Sequence, residues 1–150
     1  MLKITNQASC RLSLVLAGIF FLCLIGCAVG LVPYMNAVCG DGFLAEEHKP
    51  VILGIGYGVL AIAAVTDGLL ICLLRRVQTG AVFTQESIAL LRGISWCCVT
   101  AGGLFVWLGC YFLVSYAVAF AAILVGICLR VVKNVIAQAT EIKSENDLTV

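Results

Sequence analysis

Residues 93–129, GISWCCVTAGGLFVWLGCYFLVSYAVAFAAILVGICL, form a run of 37 residues without one formal charge. As one straight helix the run would measure roughly 55 Å, nearly twice the hydrocarbon core of a bilayer. It therefore reads as two membrane-spanning helices joined by a tight turn, with spans at 93–113 and 115–136. The turn is weakly marked. Gly109-Cys110 and Ser115-Tyr116 are the candidates, and a reversal between Leu113 and Tyr116 is preferred. The last helix then continues past Arg130 and Lys133, whose long side chains snorkel to the headgroups.

Outward from this run the pattern repeats. Upstream lies a polar linker, residues 75–85, that opens on Arg75-Arg76. It leads into a helix start: Thr84 is placed as N-cap, Glu86 suits the positive end of the helix dipole, and Phe83 is positioned to pack on Ile88 as a hydrophobic staple. Residues 51–74 form another apolar stretch of spanning length, and residues 12–32 a further one of 21 residues without a charge. Between those two, residues 33–50 carry Pro33, Asp41, Glu46, Glu47, His48, Lys49 and Pro50 around Gly40-Asp41-Gly42, and read as a loop. The tail, residues 137–150, is polar.

Composition agrees with this plan. The chain has 150 residues, 63% hydrophobic and only 11% charged, and its mean hydropathy is +1.14. So much apolar surface has to face lipid, and the expectation is an all-α, integral-membrane four-helix bundle forming a single domain. A net charge of +1 gives no basic field for nucleic acid, so no direct nucleic-acid binding is expected.

Lys and Arg set the orientation, because cationic flanks stay in the cytoplasm. Lys3, Arg11, Arg75, Arg76, Arg92, Arg130, Lys133 and Lys143 fall on one side of the four spans, and only Lys49 on the other. Both termini are thus expected in the cytoplasm. A competing pattern at the N-terminus, Lys3 and Arg11 ahead of Leu24-Ile25-Gly26-Cys27, is that of a lipoprotein signal with Cys27 as the lipidated residue. The apolar run continues beyond Cys27 to Val32, which suits a retained helix.

Asp67 is the most informative single residue. It lies inside the second apolar run, where an ionised carboxylate costs about 2.5 to 3.5 kcal/mol near a helix centre even on the lenient insertion scale. It has to face protein or water, or be protonated. Gly56, Leu60 and Ala63 share its helical face, a stripe that invites close packing by another helix. If the third helix starts near Gly93, Thr100 stands level with Asp67 and is its candidate partner. Two roles fit that pair: an ion- or proton-linked site, or a buried hydrogen bond that fixes helix register. Small-xxx-small pairs at Gly26/Gly30 and Gly54/Gly58 are expected to be packing positions. Trp96, Trp107, Tyr111 and Tyr116 fall where an aromatic belt belongs.

No catalytic constellation emerges. His48 is the single histidine, and the glycines at 54, 56 and 58 lack the lysine and hydroxyl of a phosphate loop. Seven of the nine cysteines lie in apolar runs, where a thiol behaves as a small hydrophobe. Cys39 alone falls in the polar loop, placed to cross-link two copies. No cofactor or metal is expected, nor enzymatic activity: a lone acid has no means of activating water.

Two segments carry a likeness. Val82-Phe83-Thr84-Gln85-Glu86-Ser87, followed by Leu90-Leu91-Arg92, and the tail Glu141-Ile142-Lys143-Ser144-Glu145-Asn146-Asp147-Leu148-Thr149-Val150 resemble a bacterial membrane family known as domain of unknown function 2975. Members typically carry Phe-Thr-x-Glu-Asn before the third span and end in Glu-Asn-Asp-Leu-Thr-Val; here Ser87 stands in place of the Asn. The resemblance implies a multi-pass protein of a bacterial cytoplasmic membrane, often encoded beside a small helix-turn-helix regulator, with no established activity. The leading expectation is a non-enzymatic protein whose cytoplasmic face docks such a regulator. Candidate docking residues are Phe83, Thr84, Glu86, Arg92, Glu145, Asn146 and Asp147. The alternative is a small transporter or channel, alone or as a homo-oligomer, with its polar site at Asp67 and Thr100; a third reading is a passive assembly protein.

Overall fold

The computed structural model describes residues 2–40, 42, 45–79 and 84–148, with side chains from residue 9 onward and, in the last helix, through 142 and at 145. Four helices follow one another: α1 (Leu2–Gly40), α2 (Lys49–Gln78), α3 (Gln85–Leu108) and α4 (Val114–Leu148), with a 3₁₀ turn, Glu46–His48, ahead of α2. Each contains a segment long and apolar enough to cross a membrane. Much of the large apolar surface points outward, as in Leu22, Val29, Leu113 and Phe120, and only hydrocarbon makes that surface stable.

Contacts between side chains and backbone fix the packing order. Tyr57 Oη donates to Ala28 O at 3.1 Å across the α1–α2 pair. Ideal Cβ atoms built at Gly58 and Gly93 would lie 3.5 Å from Leu104 and 3.1 Å from Leu69, which sets α2 antiparallel to α3. The α3–α4 hairpin is the most extensive interface, and α1 packs on α2 alone to any comparable extent. One end of the bundle carries Arg11, Arg75, Arg76, Arg92, Arg130 and Lys133; the other carries Glu46, Glu47, His48, Lys49 and the α3–α4 turn.

Three boundaries differ from the sequence reading. First, the stretch after Pro33 is helical as far as Gly40. Met35 and Cys39, one turn apart, are buried with Ile52 against Leu108, Tyr111 and Phe112, and that packing extends α1 past its proline. Cys39 is 8% exposed, so it belongs to this core rather than to an accessible loop. Second, α3 begins at Gln85, where the Thr84 cap predicted a helix start, and so runs ahead of the span bound set at residue 93: Thr84, in extended conformation, is the N-cap and accepts from the Ser87 amide at 3.3 Å. Phe83, the expected staple, lies outside the described residues. Third, α3 ends at Leu108 and α4 starts at Val114, so the reversal occupies residues 109–113 rather than 113–116. Gly109 permits it, because an added Cβ would meet the Tyr116 ring at 2.7 Å.

Of the predicted small-residue pairs, only Gly58 meets a neighbour, Leu104 at 3.5 Å. Nothing lies within 4 Å of an added Cβ at Gly26, Gly30 or Gly54. Close approach falls instead at Gly56, 3.0 Å from Leu31, at Gly102, 2.5 Å from Ile123, and at Gly126, 2.9 Å from Val99.

Candidate functional site

Asp67 sits on the inner face of α2 and is 3% exposed. Its Oδ2 has no hydrogen-bond partner among the described residues. The carboxylate borders a cavity of about 720 Å³ between α1, α2 and α3, with Ala122 of α4 contributing to the wall. Along α2 the cavity lining runs from Ile62 to Leu74, about 18 Å of helical rise.

Apart from the thiols of Cys97 and Cys98, the wall is apolar except for three oxygen-bearing side chains. Ser13 on α1 and Thr66 on α2 are two of them, and both hydroxyls donate to their own helices, to Ser9 O at 3.1 Å and to Ile62 O at 2.7 Å. Asp67 is the third. No Lys, Arg or His lines the cavity. Leu16, Phe20 and Leu70, which do line it, are also partly exposed on the outer surface, so the cavity opens sideways between helices into the hydrocarbon region.

Thr100 is not the partner of Asp67. It is exposed on α3, and its hydroxyl donates within that helix, to Trp96 O and Cys97 O at 3.0 Å each. The error in depth follows from the helix start. With α3 beginning at Gln85, the contacts of Gly58 with Leu104 and Gly93 with Leu69 put Asp67 level with Ser95. Ser95 is 1% exposed and donates to Gly126 O at 2.7 Å, which locks α3 to α4 and leaves the carboxylate unserved. The register hydrogen bond expected of Asp67 is thus made by Ser95.

The expected docking residues are spread over the arginine end. Thr84 is spent as a cap. Glu86 pairs with Arg76, tying the end of α2 to the start of α3. Arg92 faces a groove shared with Arg130 and Lys133. Glu145 is exposed on α4, while Phe83 and the side chains of Asn146 and Asp147 lie outside the description. Among the described residues no three His, Cys, Asp or Glu side chains converge as a metal site would require.

A family model described as protein of unknown function, DUF2975, matches residues 19–150, and the chain belongs to that family. No curated protein and no solved structure matches it.

Proposed function

We propose that this DUF2975 protein is a non-enzymatic multi-pass protein of a bacterial cytoplasmic membrane, both termini inside, that binds a small lipophilic cation at Asp67 as a carrier would. The observation that carries this reading is the unpartnered Asp67 carboxylate, buried beside an apolar cavity that opens to the membrane. A buried charge without a partner is expensive, and the cavity offers no cationic side chain to offset it. The missing positive charge comes with the ligand.

Chemistry narrows the ligand. A small inorganic cation needs several converging ligands, and the cavity has one carboxylate, two hydroxyls already bonded within their helices and the thiols of Cys97 and Cys98, which do not converge with Asp67 as a set of three. An ion channel needs a continuous polar path, which an apolar wall does not supply. An organic cation with a greasy body meets both demands: its body fills the wall and its charge meets Asp67. Such molecules partition into the bilayer, and the lateral opening between α1 and its neighbours is where they would enter.

The test is equilibrium binding of tetraphenylphosphonium to the purified protein in detergent, with tetraphenylborate as the anion of the same shape. The cation is expected to bind and the anion not. Asp67→Asn is expected to weaken the cation by at least about tenfold. Equal binding of both ions, or of the cation by both proteins, removes the proposal.

A second reading, docking of a small helix-turn-helix regulator, draws on one observation. Carried along the hairpin, the α3–α4 register lets α4 overrun the start of α3 by about two turns, so a helical segment bearing Glu145 extends past the start of α3 at the arginine end. Full-length protein is then expected to retain a cytoplasmic protein that a chain ending at Gln138 does not. Identical recoveries from the two would sink this reading.

A further inference from the structure

Cations at the arginine end are not spread evenly. Three of them, Arg92 on α3 and Arg130 and Lys133 on α4, line one groove of about 280 Å³ together with Ser95, Trp96 and Asn134. The topology rule asks for positive charge on this side of the membrane but not for its convergence on one pocket. Like charges held together repel, so the cluster favours an anion.

Helical spacing builds the groove. Arg92 and Trp96 are four apart on α3, and Arg130, Lys133 and Asn134 fall within one turn of α4, so each set shares a face. The Arg130 guanidinium lies over the Trp96 ring, 4.6 Å from its centroid, which fixes the height of the two helices. The same register brings Arg92 level with Lys133. The hairpin is held rigid just below: Ser95 Oγ donates to Gly126 O at 2.7 Å. No acid lines the groove, and the Arg76–Glu86 ion pair lies outside it.

Depth points to the occupant. Trp96 is 55% exposed, and the Arg130 guanidinium stacked on its ring extends toward the charged end as a snorkelling cation does. Arg92 lies one turn further toward the charged end, from where its long side chain can reach lipid phosphates. Arg offers planar, two-pronged donation to phosphate, and Lys133 and the Asn134 amide add donors around it.

We propose that this α3–α4 groove is a phosphate-binding site that holds the headgroup of an anionic membrane lipid. It is separate from the Asp67 cavity, and neither site requires the other.

Native mass spectrometry of the full chain in detergent tests it, with phosphatidylglycerol, phosphatidylcholine or inorganic phosphate added in separate arms. Phosphatidylglycerol is expected to stay bound at concentrations where phosphatidylcholine does not, and inorganic phosphate up to 10-fold excess over the lipid is expected not to displace it. Arg92→Gln and Lys133→Gln should each lower phosphatidylglycerol occupancy roughly fivefold. Arg75→Gln, a cation of the same end outside this groove, should change it less than about twofold. Arg130→Lys, which keeps the charge, should retain binding, and thermal unfolding of every variant separates lost affinity from lost fold. Equal losses at Arg75 and Arg92, no preference for phosphatidylglycerol, or displacement by inorganic phosphate would each overturn the lipid site, the last by assigning the groove to free phosphate.

Discussion

At residue scale, Asp67 and Ser95 share one level of the bundle with opposite fates. Ser95 finds an acceptor in Gly126 O, whereas Asp67 Oδ2 finds no donor among the described residues. Replacing them should therefore move stability in opposite directions. Asp67→Leu removes an unserved buried carboxylate, and it should raise the thermal unfolding midpoint in detergent, by an equivalent of about 1–3 kcal/mol, while abolishing cation binding. Ser95→Ala loses a buried hydrogen bond across the hairpin and should lower stability by about 1 kcal/mol. If Asp67→Leu destabilises the protein as Ser95→Ala does, the carboxylate has a partner and the site has been misread. The sequence reveals Asp67 at once, because a carboxylate inside a greasy run has no bland explanation. Its surroundings are less legible: the choice between Thr100 and Ser95 turns on how α3 is registered against α2, which the contacts of Gly58 and Gly93 decide, and five residues of error rotate the helix by more than a turn.

Elements show the same division. The existence of four long apolar helices can be read from run lengths and flanking charges alone, and so can the Thr84 cap. Thr84→Ala should cost about 1 kcal/mol, seen as faster hydrogen exchange at the Ser87 amide. Helix ends set by tertiary contact are not legible in the same way. α1 passes Pro33 because Met35 and Cys39 pack against Ile52, and the α3–α4 reversal settles at residues 109–113 because Tyr116 covers Gly109. Nor does a glycine motif reveal which glycine is approached. Gly126→Leu should push α3 from α4 and cost about 1–3 kcal/mol or more, while Gly26→Leu, facing open space, should leave the unfolding midpoint nearly unchanged. Equal effects at the two positions would mean that α1 has a close neighbour the monomer lacks.

The whole molecule is a four-helix bundle with one cationic end and a cavity that opens at its side. The proposed orientation puts the cationic end in the cytoplasm, so a fluorescent reporter fused after residue 150 should be active and a phosphatase fused there inactive; the reverse would invert the bundle. The cavity follows from the packing order. Because α1 rests on α2 and makes no comparable interface with α3 or α4, a gap remains beside Asp67 that a fully closed bundle would fill. Dicyclohexylcarbodiimide dissolves in hydrocarbon and modifies carboxyl groups held out of water, so it reports on that gap directly. Treatment of the protein in liposomes, followed by peptide mass spectrometry, should place the adduct on Asp67, and tetraphenylphosphonium should suppress it. Absence of an adduct at Asp67, or modification that the cation leaves unchanged, would contradict a cation site reached from the membrane.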